Sequence, residues 1–170
     1  QTYAVGKLHV YPPRARAGFD DVVLCEEGRP QFGPTDDYEL YLGDVGLVGQ
    51  QFLHGMSNND YVCRPWHLDE AHHVTHWLSR QMSRMIQRRD PTRPGFWYLS
   101  YTHPHPPLVP PQYCLDLYRD VDPGDPRMGT WVGGTEEMPG RMNSRLIDSE
   151  RYDRAFIQRA RRAFFALCTH

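Results

Sequence analysis

The sequence contains no apolar run long enough to cross a membrane, and its cysteines form no paired motif. A membrane-spanning helix needs about 20 consecutive apolar residues, and the 170-residue chain has none of that length. The four cysteines (Cys25, Cys63, Cys114 and Cys168) are widely spaced and include no C-x-x-C pair. This spacing argues against a zinc ribbon and against a dense disulfide scaffold. We therefore expect reduced, partly buried thiols and no association with a membrane.

The chain also lacks a strong charge of either sign. It has 19 Lys and Arg against 21 Asp and Glu, which gives a formal net charge of −2. Proteins that bind nucleic acid through their overall field usually carry a basic excess, so no nucleic-acid partner is expected. The composition, with 39% hydrophobic and 24% charged residues, is ordinary for a globular domain. A chain of this length can bury one sizeable core.

The two ends of the sequence lack the signals that usually mark the ends of a protein. The chain begins without an initiator Met, at "QTYAVGK", which already has the composition of a strand. It ends in "RRAFFALCTH", an apolar helical pattern without a Gly or Asn stop signal. We expect the chain to be a piece of a larger protein. The sequence indicates no cellular compartment.

Apolar periodicity predicts three strands and three helices along the chain. The strands cover residues 2–5, 22–25 and 96–101, and the helices lie within "DDYELYLGDVG", at residues 69–88 and from about residue 148 or 149 to 167. Asp69 is expected to be the N-cap of the second helix. The third strand, "FWYLSY", is apolar on both faces, which is typical of a parallel sheet covered by helices. The order of elements predicts an α/β fold with a mostly parallel sheet flanked by helices.

Residues suited to chemistry follow two of the predicted strands. "GKLH" places Lys7 and His9 after the first strand, and "THPHPP" places His103 and His105 after the third. Ligands of open parallel sheets bind outside the carboxyl ends of the strands. Lysine supplies a compact positive charge and histidine transfers protons near neutral pH. The pattern favours a cationic pocket for an oxyanion, and the alternative is a set of hydrogen-bonded loop histidines.

Two other patterns suggest binding sites but are weaker. His72 and His76 have the i, i+4 spacing that can ligate zinc on a helix, but neither an H-E-x-x-H motif nor a third ligand at motif spacing accompanies them. We interpret both as polar histidines on the helix surface. "PPLVPP" contains a P-x-x-P pattern, which directly after a buried strand indicates a rigid loop rather than a polyproline ligand.

Several short motifs, in order along the chain, resemble those of the bacterial type I sulfatases. "YAVGKLHVYPPRARAGFDDVVLCEEG" resembles the family's "vGK-x-H", Pro-containing loop and "GFD". "THPHPPLVPPQYCLDLY" resembles a strand end reading "PH-x-P" followed by "PP-x-x-Y-x-x-x-Y", and "RRAFFALCTH" resembles a helix that normally reads "YYA". The match covers most of the chain and is weakest at residues 26–62 and 119–148.

The resemblance implies an alkaline-phosphatase-like α/β fold and hydrolysis of a small-molecule sulfate ester. Residues 1–170 would be the central segment of a single sulfatase catalytic domain. By motif, Lys7 would contact the sulfate oxygens, and His9 would hydrogen-bond a formylglycine hydroxyl and act as base for sulfate release. His105 would bind the sulfate or the leaving oxygen and could protonate it. His103 is adjacent and fits the motif less well.

The departures from the family pattern concern the nucleophile and the metal. Sulfatases of this type convert a Cys or Ser in C/S-x-P/A-x-R to formylglycine and bind a divalent metal, usually Ca²⁺. In this chain Cys63 lies in "CRPWH", which has His67 in place of the Arg, and we reject it as the nucleophile. The family's metal-binding aspartates and second sulfate-binding Lys are also missing.

We therefore expect no cofactor to be held by this segment, which needs the remainder of the sulfatase chain and is inactive by itself. Two alternatives stay open at this point. The first is a phosphonate monoester or phosphodiester hydrolase of the same superfamily, and the second is a non-catalytic anion-binding or scaffold fragment.

Overall fold

The computed structural model describes residues 1–27, 35–127 and 153–170. The chain divides into two compact units. The first unit comprises Gln1–Gly55 and His67–His103, and the second comprises Met56–Trp66 and Pro104–His170. In the ranges given above, no helix has both the length and the apolar character needed to span a membrane.

A three-stranded parallel sheet forms the centre of the first unit. Its strands are β1 (Thr2–Gly6), β2 (Asp21–Leu24) and β3 (Phe96–Ser100), and β1 lies between the other two. In register, Val5 pairs with Val23 on one side and with Leu99 on the other. The predicted parallel sheet is confirmed. Because all three strands run in the same direction, the loops that follow them leave from one edge.

Two α-helices pack on one face of this sheet. Helix α1 (Asp37–Asp44) begins with a capping box, in which the Asp36 side chain accepts from the Glu39 N–H. Helix α2 (Val74–Arg88) packs against β1 and β3. The buried side chains of this core are Val5, Cys25, Tyr38, Leu42, Trp77, Leu78 and Met82. The flanking helices confirm the α/β class.

The start of α2 differs from the sequence prediction, which placed it at Asp69. Asp69 instead caps a 3-10 turn, Glu70–His72, by accepting from the Ala71 N–H at 2.8 Å. His73 is then extended, with φ −65° and ψ 139°, and its side chain caps α2. His73 is fully buried. A buried extended residue interrupts the helix, and apolar periodicity does not reveal such an interruption.

The prediction that β3 is buried on both faces is wrong for this chain. Trp97 and Leu99 pack against the core, whereas Phe96 is 57% exposed and Tyr98 is 42% exposed. Successive side chains of a strand point to opposite faces, so only one face of β3 meets the helices. Phe19 packs against the other face, with its ring 6.2 Å from that of Phe96.

The second unit contains helices α3 (Gln112–Leu117) and α4 (Arg154–Thr169), which pack on each other. Leu108, Ala163 and Leu167 are its buried core. Asp153 caps α4 by accepting from the Phe156 N–H at 2.6 Å. The predicted helix start near residue 148 or 149 lies outside the described residues.

Candidate functional site

The chain leaves β1 through a glycine that has no room for a side chain. Gly6 has φ +114°, and a Cβ at this position would lie 1.8 Å from the Ser100 carbonyl oxygen. The backbone here bonds to both neighbouring strands, since the Lys7 N–H donates to the Ser100 oxygen and the Cys25 N–H donates to the Gly6 oxygen, each at 3.1 Å. These bonds fix where Lys7 emerges from the carboxyl edge of the sheet.

Lys7 forms an ion pair with a glutamate from the loop after β2. Its Nζ donates to Glu27 Oε1 at 2.7 Å. The Lys7 side chain is 20% exposed and that of Glu27 is 6% exposed. An ion pair removed from water to this degree is held more tightly than a surface pair, because solvent screens it less. The ammonium predicted to bind an oxyanion is thus paired with a carboxylate in this chain.

His9 is held by Glu26, the residue before Glu27 in the loop after β2. Glu26 Oε1 accepts the N–H groups of Leu8 and His9, at 2.9 and 2.8 Å. Its other oxygen, Oε2, lies 3.2 Å from His9 Nδ1. His9 has φ +57°, a left-handed conformation that is uncommon for a residue with a side chain. One carboxylate therefore contacts both the backbone and the ring of His9.

The loop that carries Glu26 and Glu27 is anchored to the start of α1. The Glu26 N–H donates to Asp36 Oδ2, and the Leu24 N–H donates to Asp37 Oδ2, each at 2.6 Å. Carboxylates at a helix N-terminus are stabilised by the helix dipole. The glutamates are therefore placed by secondary structure on both sides, by β2 before them and α1 after them.

Sequence reasoning placed Lys7 and His9 at this edge but missed their two carboxylate partners. The pocket was expected to be cationic, and Glu26 and Glu27 make it mixed in charge. The available signal was "CEEG", which follows the predicted second strand directly. If that strand had been placed beside the first in a parallel sheet, its loop would have been expected at the same edge.

The remaining two predicted residues lie in different parts of the chain. His103 belongs to the first unit, where its ring centroid lies 5.1 Å from that of His73, the N-cap of α2. His105 belongs to the second unit, where its Nδ1 lies 2.6 Å from the Pro106 carbonyl oxygen. A carbonyl oxygen only accepts, so Nδ1 carries a proton and Nε2 is the nitrogen that can exchange one.

Two of the thiols, Cys25 and Cys63, have the properties of structural rather than reactive cysteines. Burial raises the pKa of the Cys63 thiol to about 11, although the positive charge of Arg159 lowers this pKa in part. Burial also raises the pKa of Cys25, which is 1% exposed. The thiolate is the reactive form of cysteine, and both groups are protonated at neutral pH. Rejection of Cys63 as a nucleophile agrees with this environment.

Comparisons with known proteins show what the chain as a whole is similar to. No protein-family model matches the chain. The chain is 30% identical over 181 residues to an arylsulfatase of Clostridium perfringens (strain 13 / Type A), covering 99% of this chain and 37% of that protein. The chain is also 27% identical over 174 residues to a choline-sulfatase of Rhizobium meliloti (strain 1021), covering 95% of this chain and 32% of the relative. The chain is a sulfatase-like segment.

The chain thus spans about a third of the length of the curated relatives it matches. Sulfatase relatives imply a divalent metal and a formylglycine in the whole protein. Across residues 1–27, 35–127 and 153–170, no three His, Cys, Asp or Glu side chains are grouped so as to hold a metal ion. The sequence contains one C/S-x-P/A motif, at Cys63, and it lacks the final Arg. The residues described thus fit neither the divalent metal nor the formylglycine.

Proposed function

We propose that this chain supplies Lys7, His9 and His105 to the active site of a sulfuric ester hydrolase that acts on a small-molecule sulfate ester. We propose further that residues 1–170 are the central segment of its single catalytic domain. The observation that carries the proposal is the placement of Lys7 and His9 directly after the central strand β1. This placement occurs in a chain similar over 99% of its length to an arylsulfatase.

Lys7 would bind the sulfate group by exchanging one anionic partner for another. Its ammonium has a carboxylate oxygen at 2.7 Å in this chain, and a sulfate oxygen is likewise an anionic acceptor of a charge-assisted hydrogen bond. Since the side chain is 80% removed from solvent, the interaction with a developing negative charge is stronger than it would be in water. This contact would stabilise the transition state.

His9 and His105 would carry protons. His9 would act as the base that assists release of sulfate, with Glu26 beside its ring. His105, in its doubly protonated form, would give the proton on Nε2 to the leaving oxygen and keep the one on Nδ1, which is bonded to the Pro106 oxygen. A positioned acid or base of this kind contributes about 10²–10⁴-fold to a rate. His103, whose ring packs against His73, would be a secondary substrate contact.

A substrate comparison with the full-length protein tests this function. We expect p-nitrophenyl sulfate to be hydrolysed with a higher kcat/KM than bis-p-nitrophenyl phosphate. A strong preference for the phosphodiester would contradict the sulfatase proposal and favour the phosphonate or phosphodiester hydrolase. Absence of turnover of either ester, with sulfate titration still shifting the resonances of His9 and His105, would favour the anion-binding fragment.

Substitutions at two of the residues test the assignment of roles. In the full-length protein, Lys7→Ala and His105→Ala are each expected to lower kcat/KM for p-nitrophenyl sulfate by about 10²–10³-fold, a size typical of losing one transition-state contact. His76→Ala is the matched control, since His76 is exposed on α2. Wild-type rates in either active-site variant would refute the assignment.

A further inference from the structure

We propose that Glu26 is the positioning residue for His9. It would fix the backbone conformation after β1 and hold the imidazole with its proton on Nδ1, so that Nε2 is the nitrogen that takes up a proton. This inference rests on the proposed role of His9 and adds a residue that the sulfatase motifs did not indicate. Three features of the Glu26 side chain support it: its bonds to the backbone, its contact with the ring, and its burial.

The backbone contacts explain how His9 keeps an unfavourable conformation. A residue with a side chain at φ +57° is in an uncommon conformation that persists only where its surroundings hold it. Glu26 Oε1 accepts the two consecutive N–H groups of Leu8 and His9. Hydrogen bonds to a charged acceptor are about twice as strong as neutral ones. The two bonds therefore fix the conformation that aims the His9 side chain.

The ring contact selects the tautomer of His9. Glu26 Oε2 is buried and lies 3.2 Å from His9 Nδ1, a distance at which the two groups interact electrostatically although the contact lacks the alignment of a hydrogen bond. A carboxylate oxygen at this distance favours a proton on Nδ1 over a lone pair, because a lone pair on Nδ1 would face the negative charge. A neutral imidazole carries one N–H, so its lone pair is then on Nε2. The His9 side chain is 43% exposed.

Two other carboxylates, Glu27 and Asp36, lie near this pair and have contacts of their own. Glu27 is engaged with Lys7 at 2.7 Å. Asp36, which is 3% exposed, accepts the Glu26 N–H through Oδ2 and so places the backbone of Glu26 itself. Glu26 in turn contacts the His9 ring.

The test compares wild-type and Glu26→Gln forms of the full-length protein. Glutamine keeps the size and one acceptor oxygen, but its amide nitrogen donates and would turn His9 to the Nε2–H tautomer. We expect the ¹⁵N shifts of the neutral His9 ring to report Nδ1–H in the wild type and Nε2–H in the variant. We expect kcat for p-nitrophenyl sulfate to fall about 10²-fold, with a smaller change in KM. Glu70→Gln is the control and should alter neither quantity.

The two readouts separate this inference from the proposed function. An Nε2–H tautomer in the wild type would overturn the inference without the need for any variant, as would an unchanged tautomer in a folded Glu26→Gln protein. If the wild type does not hydrolyse sulfate esters but the tautomer switches as expected, the positioning role stands and the proposed function fails. If the wild type is active and Glu26→Gln is equally active, the function stands and the positioning role fails.

Discussion

At the scale of single residues, the ionisable groups after β1 are arranged in pairs. Lys7, the one lysine in a chain with 18 arginines, is paired with Glu27, and His9 lies against Glu26. If Lys7 binds a sulfate ester as proposed, the ester has to displace Glu27. Without a bound anion, the Glu27 carboxylate occupies the position beside Lys7 that the sulfate group would take. Proton transfer by His9 would depend on the carboxylate that remains beside it.

A further carboxylate, that of Asp20, links the start of β1 to the residues just before β2. Its Oδ2 accepts the Thr2 N–H at 2.8 Å, and its own N–H donates to the Thr2 Oγ1 at 2.9 Å. The hydrogen bond from the Thr2 backbone lowers the pKa of Asp20 below its ordinary value of 3.8. A carboxyl whose pKa is lower in the folded than in the unfolded state stabilises the fold. This stabilisation is fully present above the unfolded-state pKa and is lost as the pH falls through the folded-state pKa.

We therefore expect Asp20→Asn to lower the urea midpoint at pH 7 and to have little effect at an acid pH below the lowered pKa of Asp20, where the wild-type carboxyl is itself protonated. Urea unfolding followed by circular dichroism at both pH values measures this. Asp44→Asn, at the end of α1, is the matched acid-to-amide control. An equal effect of Asp20→Asn at both pH values would show that the charge of Asp20 is not involved.

At the scale of elements, the turn out of β1 depends on one glycine. The close approach of Gly6 to Ser100 lets the chain cross from the central strand into the loop that carries Lys7 and His9. The sequence predicted the strand and the position of this turn. It did not predict how tight the turn is, because the contact comes from β3, more than 90 residues further along the chain.

Gly6→Ala is expected to destabilise the fold by about 3 kcal/mol or more, because its Cβ would overlap the Ser100 carbonyl and φ +114° is unfavourable for alanine. Gly43→Ala is the matched control. Gly43 lies in α1, where a new Cβ meets nothing closer than 3.9 Å, and alanine in a helix is favoured by about 0.5–1 kcal/mol. Urea midpoints should move in opposite directions. A normal midpoint for Gly6→Ala would contradict the geometry of the turn.

At the scale of the whole molecule, the chain is a sulfatase-like segment that spans about a third of the length of its relatives. It contains Lys7, His9 and His105, but its single C/S-x-P/A motif lacks the Arg and lies on a thiol whose pKa is raised by burial. The exposed aromatic face of β3, with Phe96 and Tyr98, is a surface of the kind that usually packs against further structure.

We expect the 170-residue chain expressed alone to hydrolyse p-nitrophenyl sulfate no faster than buffer, and the full-length protein to hydrolyse it with turnover. The intact mass of each sample should be measured first, because a mass near 19.9 kDa identifies the 170-residue chain. Lys7→Ala in the full-length protein serves as a folded, impaired reference. Turnover by the 170-residue chain at the full-length rate would show that it contains a complete site and would overturn this proposal.

The sequence by itself determined the α/β class, the parallel arrangement of the strands and the resemblance to sulfatases. These follow from local periodicity, from the order of the elements, and from short motifs such as "GKLH" that need no knowledge of distant contacts. The sequence also placed Lys7 and His9 after the same strand. Their roles, and that of His105, remain predictions.

The tertiary structure decided which groups meet these residues. Glu26 and Glu27 lie 17 to 20 residues beyond the side chains they contact, and only the pairing of β1 with β2 brings them to the same edge. Likewise, burial of His73 rather than propensity sets the start of α2, and the placement of helices on one face leaves Phe96 exposed. Each of these depends on packing between segments far apart in the chain, to which a local pattern of residues is insensitive.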